Sequence, residues 1–506
     1  MTPTMSGGPL GPSDLLSALD QRLSEAASVL LETDVLDPPE TRRPGMVSSH
    51  LLPRLIAVCT EPRRHDARWL VLTAAFGGFP TTDQLQAFGR YIELAPTGHT
   101  ESTLLAQIIN EPGRGRLDLP MTIVADGVVV EVDFCARYDT HTGIHRVVRE
   151  TMPRWSAEHT VTAVAWIDQY SAFRTLAPRE VSRVFAYDRP AASDPTSKAT
   201  YRPSLVVPWR SVLVLPDVSN PRASGQLAAL AKFSGNTLSM IGYDMIPITS
   251  AELRPPADAV AFAQYLTVVK HAHRVAGISR SATAEFGGFT RSLAAQGLPG
   301  PDVREVLLAG EAPHPPDSAR RSHGDRPVIL CLGSQEPHKN QRAALHAAER
   351  LWREGLEFEL RLVGGPGWSD AVLRPAIEAL VDAGRSITAL GRVSDVQLLD
   401  EMRSADFIFF ASLHEGYGLP VAEALACGTP VITSNFGSQL EIAELGGCLL
   451  VDPRDDDEVT AAVRGLLTKP AELQRLRSEA VARPVRTWDE YATELWTFLC
   501  TREDVA

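Results

Sequence analysis

The 506-residue chain has little that would tie it to a membrane, a nucleic acid or an oxidising compartment. No apolar run approaches the roughly 20 residues needed to cross a bilayer. Met1-Thr2-Pro3-Thr4-Met5-Ser6-Gly7-Gly8 lacks the basic and apolar regions of a signal peptide. Positive charge is in deficit: 49 Lys and Arg against 62 Asp and Glu leave a net charge of -13. That argues against a general nucleic-acid binder and disfavours tight docking on anionic lipid, while leaving room for a local basic patch. The six cysteines (Cys59, Cys135, Cys331, Cys427, Cys448, Cys500) are scattered without a C-x-x-C pair, and read as buried free thiols in a reducing cytosol. The expected location is therefore cytoplasmic, with peripheral membrane contact left open.

Two other absences narrow the chemistry. Gly364-Gly365-Pro366-Gly367-Trp368 is glycine-rich but lacks the G-x-G-x-x-G spacing, so it reads as a turn rather than a dinucleotide fingerprint. His141 and His145 have Gly143 between them and no third ligand, and zinc is not expected. Asp455-Asp456-Asp457 suits the start of the helix that follows it, because acidic side chains favour a helix N-terminus. No metal site is expected.

What is present is ordinary globular composition, 44% hydrophobic and 22% charged, over a length that allows two or three domains. Residues 1–115 read as a helical extension, from the spacing of Leu15, Leu16, Leu19 and Leu23 and the apolar Trp69-Leu70-Val71-Leu72. Residues 120–311 read as an α/β domain, with strands expected at 122–125, 128–134, 161–167, 211–215, 238–248, 274–278 and 304–310. Residues 312–325, rich in Pro, Ser, Arg and Gly, read as a linker. Residues 326–485 read as a second α/β domain, with strands at 327–332, 358–363, 387–390, 407–411, 431–433 and 448–451 and helices between them, as in a doubly wound sheet. Residues 486–506 carry a final helix.

The most informative block is His414-Glu415-Gly416-Tyr417-Gly418-Leu419-Pro420-Val421-Ala422-Glu423, which follows the apolar strand ending at Ser412. Gly416 and Gly418 allow a loop backbone to approach a ligand closely. Pro420 suits the first turn of a helix. Unpaired N–H groups and the helix dipole then make an anion site. Carboxylates beside an anion site suit a bifunctional ligand: diphosphate for the amides, sugar hydroxyls for Glu415 and Glu423. A nucleotide sugar has both parts.

This block resembles the E-x7-E signature of the retaining glycosyltransferases of family 4, and the following runs Thr429-Pro430-Val431-Ile432-Thr433-Ser434 and Gly447-Cys448-Leu449-Leu450-Val451-Asp452-Pro453 keep the family's order. The resemblance implies a GT-B fold, two Rossmann-like domains facing across a cleft, with the last helix crossing back to the first. It implies transfer of a sugar from a nucleotide donor to a hydroxyl with retained configuration, without metal or cofactor. Glu415 would lie near the transferred sugar and Glu423 on the ribose. Gly416, Tyr417, Gly418 and Leu419 would offer backbone amides. Lys339, in Gly333-Ser334-Gln335-Glu336-Pro337-His338-Lys339, would neutralise the diphosphate, with Gly333 and Ser334 in the same loop and His338 assisting if protonated or as a hydrogen-bond donor. Ser334 and His338 stand where many relatives carry arginine. Arg392 and Val393 would lie near the nucleobase.

On the acceptor side, Gly143, His145 and Arg146 lie in a segment resembling T-G-I-x-R-V-V-R of mannosyltransferase-like members, and Arg146 and Arg149 would meet an anionic acceptor or a phosphate. Tyr243-Asp244 occupies a position where many relatives have His-Asp, so Asp244 is a catalytic candidate and Tyr243 a departure. The implied partners are GDP-mannose first, then UDP- or dTDP-sugars, and a glycan, lipid-linked or other hydroxyl acceptor. A catalytically silent GT-B scaffold or glycan-binding subunit is the alternative. A glycoside hydrolase fits less well, because it needs two carboxylates across the scissile bond.

Overall fold

The computed structural model describes residues 11–32, 43–94, 115–139, 142–187, 201–312 and 326–501. The expected linker and His141 lie almost wholly outside them. Four helices lead the chain: Pro12–Leu30 (α1), Met46–Thr60 (α2), His65–Phe76 (α3) and Thr82–Leu94 (α4). They form no separate module. Leu23, Leu55, Trp69 and Phe88 join one apolar core with Trp166, Phe173, Val206 and Leu230 of the unit that follows. Arg22, 1% exposed, pins this junction by donating to the carbonyls of Ala74, Leu117 and Leu119 at 2.7, 2.6 and 2.9 Å. Burial lowers its pKa to about 10, against the pull of Asp118.

The first sheet has nine strands: Met121–Ala125 (β1), Val128–Glu131 (β2), Val161–Trp166 (β3), Phe173–Arg174 (β4), Leu205–Trp209 (β5), Val212–Leu215 (β6), Thr237–Gly242 (β7), Arg274–Gly277 (β8) and Asp302–Glu305 (β9). Their order is β1-β5-β4-β3-β2-β6-β7-β8-β9. Only the short β4 pairs antiparallel with its neighbours. Three expected strands are corrected. Strand β2 ends at Glu131 rather than continuing to Phe134, because the Asp133 carboxylate accepts from the Trp166 amide at 2.8 Å and from Arg137 at 2.6 Å and opens the short helix Asp133–Arg137. The run from Leu238 to Ile248 splits into β7 and a helical turn, Ile246–Thr249. Strand β9 begins earlier than expected and stops at Glu305.

The second sheet holds Val328–Leu332 (β10), Glu359–Val363 (β11), Ile387–Gly391 (β12), Phe407–Phe410 (β13), Val431–Ser434 (β14) and Cys448–Val451 (β15). Its order is β12-β11-β10-β13-β14-β15, and every pair is parallel. The order reverses between β10 and β13. Ligands of such sheets bind at that switch point, outside the carboxyl ends of the strands.

Four further helices position the site: Gly143–Glu158 (α5), Arg280–Ser292 (α6), Leu419–Ala426 (α7) and Trp488–Cys500 (α8). Helix α8 crosses from the second sheet to the first. Trp155 of α5 donates to the Ala492 carbonyl at 2.9 Å, and Ser239 of β7 donates to the Leu499 carbonyl at 2.8 Å. A single core runs between the sheets, joining Val148, Trp155 and Ile241 to Leu330, Phe410, Val421, Tyr491 and Leu495. Asp455 caps the helix Asp456–Thr468, accepting from the amides of Asp457 and Glu458 at 2.9 and 3.0 Å.

Candidate active site

Three loops at the carboxyl edge of the second sheet converge. The Gly333 amide donates to the Val363 carbonyl at 2.9 Å, Gln335 to Gly365 at 3.0 Å, and Gly364 to Gly391 at 2.9 Å. The approach is so close that a Cβ on Gly364 would lie 1.9 Å from the Gly333 oxygen, and its φ of +155° is also unsuited to a side chain. Gln341 ties the first loop down by donating to the Gly333 and Ser334 carbonyls at 3.0 and 2.8 Å. Arg392 is exposed beside Gly365, and Val393 packs on the core between the sheets.

Within this frame Lys339 Nζ meets Glu415 Oε1 at 2.7 Å. Both side chains are largely buried, and Lys339 also lies 5.3 Å from the centre of the Phe410 ring. Burial would raise the Glu415 pKa, but the adjacent Lys339 charge outweighs it and holds the carboxyl below its ordinary value. His338 is buried, and burial followed by the Lys339 charge lowers its pKa to about 4. The cationic role expected for His338 is thereby corrected: its ring is neutral near pH 7, and only hydrogen bonding remains open to it. Ser334 is engaged by Glu336, its hydroxyl donating to Oε1 at 2.7 Å.

Gly418 caps α7 at a φ of +103°, as its left-handed geometry requires glycine. In the first turn of α7, Pro420 has no N–H and the Val421 amide donates to the Gly418 carbonyl at 2.9 Å, which leaves the Leu419 amide to meet a ligand. Tyr417 is a packing residue, buried against Gly310. Leu419 faces Gly143, the first residue of α5.

The loop 415–418 is clasped by the first sheet. A Cβ on Gly416 would lie 2.2 Å from the Tyr243 oxygen, and Ser279 donates to the Gly416 carbonyl at 2.6 Å. Ser438 donates to the Glu415 carbonyl at 2.9 Å. Asp244 is brought to the same place, and burial raises its carboxyl to about 6. Its Oδ1 accepts from the Ile246 amide at 3.0 Å. Tyr243 is spent on packing: it is buried and donates to the Pro216 carbonyl at 2.6 Å.

Glu423 and Arg146, expected on opposite sides of the cleft as separate contacts, are instead paired with each other through Arg146 Nη1. Both are buried. Arg146 also donates to the Glu311 carbonyl at 3.1 Å and lies over the Trp488 ring at 5.5 Å. His145 stacks on Phe134 with ring centres 4.1 Å apart, and its Nδ1 is 2.9 Å from the Thr142 hydroxyl.

Sequence reading missed a second clasp. His414 Nε2 lies 3.0 Å from Glu285 Oε1 of α6, and its Nδ1 is 2.8 Å from the Ser250 hydroxyl. Burial would lower the His414 pKa, but the hydrogen bond and charge of Glu285 raise it above 6.5. His414 stood in the informative block next to Glu415. Nothing in the sequence around Glu285 pointed to it.

Comparison with known proteins finds relatives of this arrangement. Residues 317–483 match the model of the glycosyl transferases group 1. That stretch is about a third of the chain. It is 34% identical over 168 residues to the O-antigen chain mannosyltransferase B of Escherichia coli, covering 33% of this chain and 43% of that protein. It is 32% identical over 176 residues to the MMP α-(1→4)-mannosyltransferase of Mycolicibacterium hassiacum, covering 33% and 41%. The chain thus matches less than half the length of these relatives. Among solved structures it resembles HepE of Anabaena in complex with UDP and glucose, with a TM-score of 0.51 and 12% identity, over 73% of this chain and 98% of that one. It also resembles sucrose-phosphate synthase of Thermosynechococcus elongatus, with a TM-score of 0.53 and 18% identity, over 74% and 98%. The fold is GT-B, with four leading helices among the described residues built into its first half. No helix among the described residues is long and apolar enough to cross a membrane.

Proposed function

We propose that the chain is a retaining glycosyltransferase of family 4 that moves a sugar from a nucleotide donor to a hydroxyl of a glycan, glycolipid or similar acceptor. The observation that carries this reading is the buried Lys339–Glu415 pair, 2.7 Å apart at the switch point of a Rossmann-ordered sheet and facing the start of α7. A donor diphosphate placed there would meet one ammonium, the Leu419 amide and the positive end of the helix dipole. The same place presents Glu415 to a sugar hydroxyl and Asp244 from the opposite sheet.

In the proposed step the bond between the sugar's anomeric carbon and the diphosphate oxygen breaks. A bond from the acceptor oxygen forms on the same face, and the acceptor's proton passes to the leaving phosphate. Lys339 and the N-terminal end of α7 stabilise the negative charge that grows on the diphosphate, so the step calls for no divalent cation. Glu415 orients the sugar. For Glu423 to hold the ribose, Arg146 must release or share it.

GDP-mannose is the first donor to try, because curated relatives are named mannosyltransferases. UDP-sugars come next, since HepE was solved with UDP and glucose. The test is incubation with each nucleotide sugar and a mixed glycan acceptor, followed by NMR of the product's anomeric proton. A retained configuration that disappears in Glu415→Gln supports the reading. Transfer that persists unchanged in Glu415→Gln contradicts the assigned site, and an inverted product contradicts the mechanism.

A further inference from the structure

A cavity of about 380 Å³ lies at the carboxyl ends of β2, β3 and β6, and its lining includes Glu131, Trp166, Asp217, Ser219, Tyr138 and Arg254. It reaches the donor loops. Arg254 Nη1 is 3.6 Å from Glu336 Oε2 and its guanidinium lies 4.5 Å from the Trp368 ring, both residues belonging to loops of the second sheet. The cavity therefore connects the first sheet to the mouth of the proposed donor site.

Its polar groups are left incomplete. Ser219 and Trp166 are 3% and 1% exposed, yet the Ser219 hydroxyl and the Trp166 Nε1 have no hydrogen-bond partner among the described residues. Buried donors and acceptors are nearly always paired, so two in one cavity lining point to a ligand that pairs them. Asp217 Oδ2 is in the same condition, with His145 Nε2 3.9 Å away, beyond hydrogen-bond distance. Asp217 Oδ1 is occupied by the Val218 amide at 2.7 Å, and Glu131 Oε1 by the Asp133 amide at 2.7 Å.

The charge of the lining selects the ligand. Arg254 is neutralised by Asp258 at 2.8 Å. Asp133 is matched by Arg137 at 2.6 Å. Glu131 and Asp217 remain, and burial pushes both carboxyls up toward the neutral acid, so the lining offers a phosphate no unmatched cation. Carboxyls, a hydroxyl and an indole N–H suit sugar hydroxyls, which donate and accept alike. The aromatic rings Phe134 and Tyr138, 4.7 Å apart, supply apolar faces for sugar C–H groups.

We infer that this cavity binds the acceptor as a neutral, hydroxyl-rich saccharide and discriminates against a phosphorylated one. The inference rests on reading the chain as a glycosyl transferase, and it names the acceptor class for that reading. Burial pushes the Asp217 carboxyl up to about 7, so near neutral pH it both donates and accepts.

The test needs no donor. The full chain is titrated calorimetrically with α-mannotriose, maltotriose and chitotriose, and with mannose 6-phosphate as the charged probe. At least one trisaccharide should bind about tenfold or more tightly than the phosphate, the loss of about one good hydrogen bond. Asp217→Asn and Ser219→Ala should each weaken that binding about tenfold. Should Asp217→Asn melt early, Ser219→Ala, which removes one oxygen, decides. Equal or tighter binding of the phosphate, no binding of any trisaccharide, or full affinity in Ser219→Ala overturns the inference. A thermal-shift screen with nucleotide sugars judges the transferase reading separately. Trisaccharide binding without any nucleotide-sugar response keeps the cavity and sinks the transfer; the reverse pattern sinks the cavity alone.

Discussion

Lys339 and Glu415 satisfy each other in the ligand-free protein, and the proposed function asks them to exchange partners. A diphosphate would draw the ammonium away and leave the carboxylate for a sugar hydroxyl. Lys339→Ala should therefore lower kcat by about 10²–10³, the usual loss when one preorganised charge-stabilising donor is removed. Steady-state kinetics with the competent nucleotide sugar measure it. A stability effect separates the Arg146–Glu423 pair from that one. Both partners are buried, so Arg146→Met leaves a buried carboxylate without its cation and should cost about 3–5 kcal/mol in urea unfolding. Adding Glu423→Met to it should restore much of the loss, because a buried pair replaced by apolar groups is often neutral.

At the scale of elements, the loop 415–418 is held by both halves of the molecule. Gly416 has no room for a methyl group, since a Cβ would lie 2.2 Å from the Tyr243 backbone oxygen. Gly416→Ala should force the two loops apart, reducing transfer sharply while leaving the secondary structure unchanged by circular dichroism. Two histidines, His414 and His338, make stability depend on pH in opposite senses. The folded protein holds the His414 proton above 6.5, so that contribution is complete below 6.5 and is lost as pH rises through the folded value. His338 acts in the opposite sense. Its folded pKa is about 4, so between 6.5 and 4 the unfolded chain takes up the proton more readily, and stability falls with pH. Glu285→Gln should therefore lessen the fall of the urea midpoint as pH rises above 6.5.

The second sheet was the most legible part of the chain. Its central strands β10, β13 and β14 are buried along their whole length and read as short apolar runs such as Phe407-Ile408-Phe409-Phe410. The first sheet was less so. Strand β5 went unseen because Pro208 interrupts it, and the end of β2 is set by Asp133, whose partner Trp166 lies far along the chain. The same limit applied to the site. Lys339 and Glu415 were visible from local motifs, whereas the pairings Arg146–Glu423 and His414–Glu285 depend on how two sheets pack and leave no local pattern.

For the whole molecule, the two sheets are joined by helix α8, by one continuous core and by the clasps around Gly416, next to the Lys339–Glu415 pair. A donor entering there should stabilise the full chain by mass action, by about 2.7 kcal/mol at a hundredfold excess over Kd. The most direct test of the donor site is thermal unfolding of wild type, Lys339→Ala and Glu415→Gln with GDP-, UDP- and dTDP-sugars. The account predicts that one nucleotide sugar raises the wild-type Tm by several degrees and leaves both variants nearly unmoved. A wild-type Tm unchanged by every nucleotide sugar, or an equal rise in both variants, would contradict it.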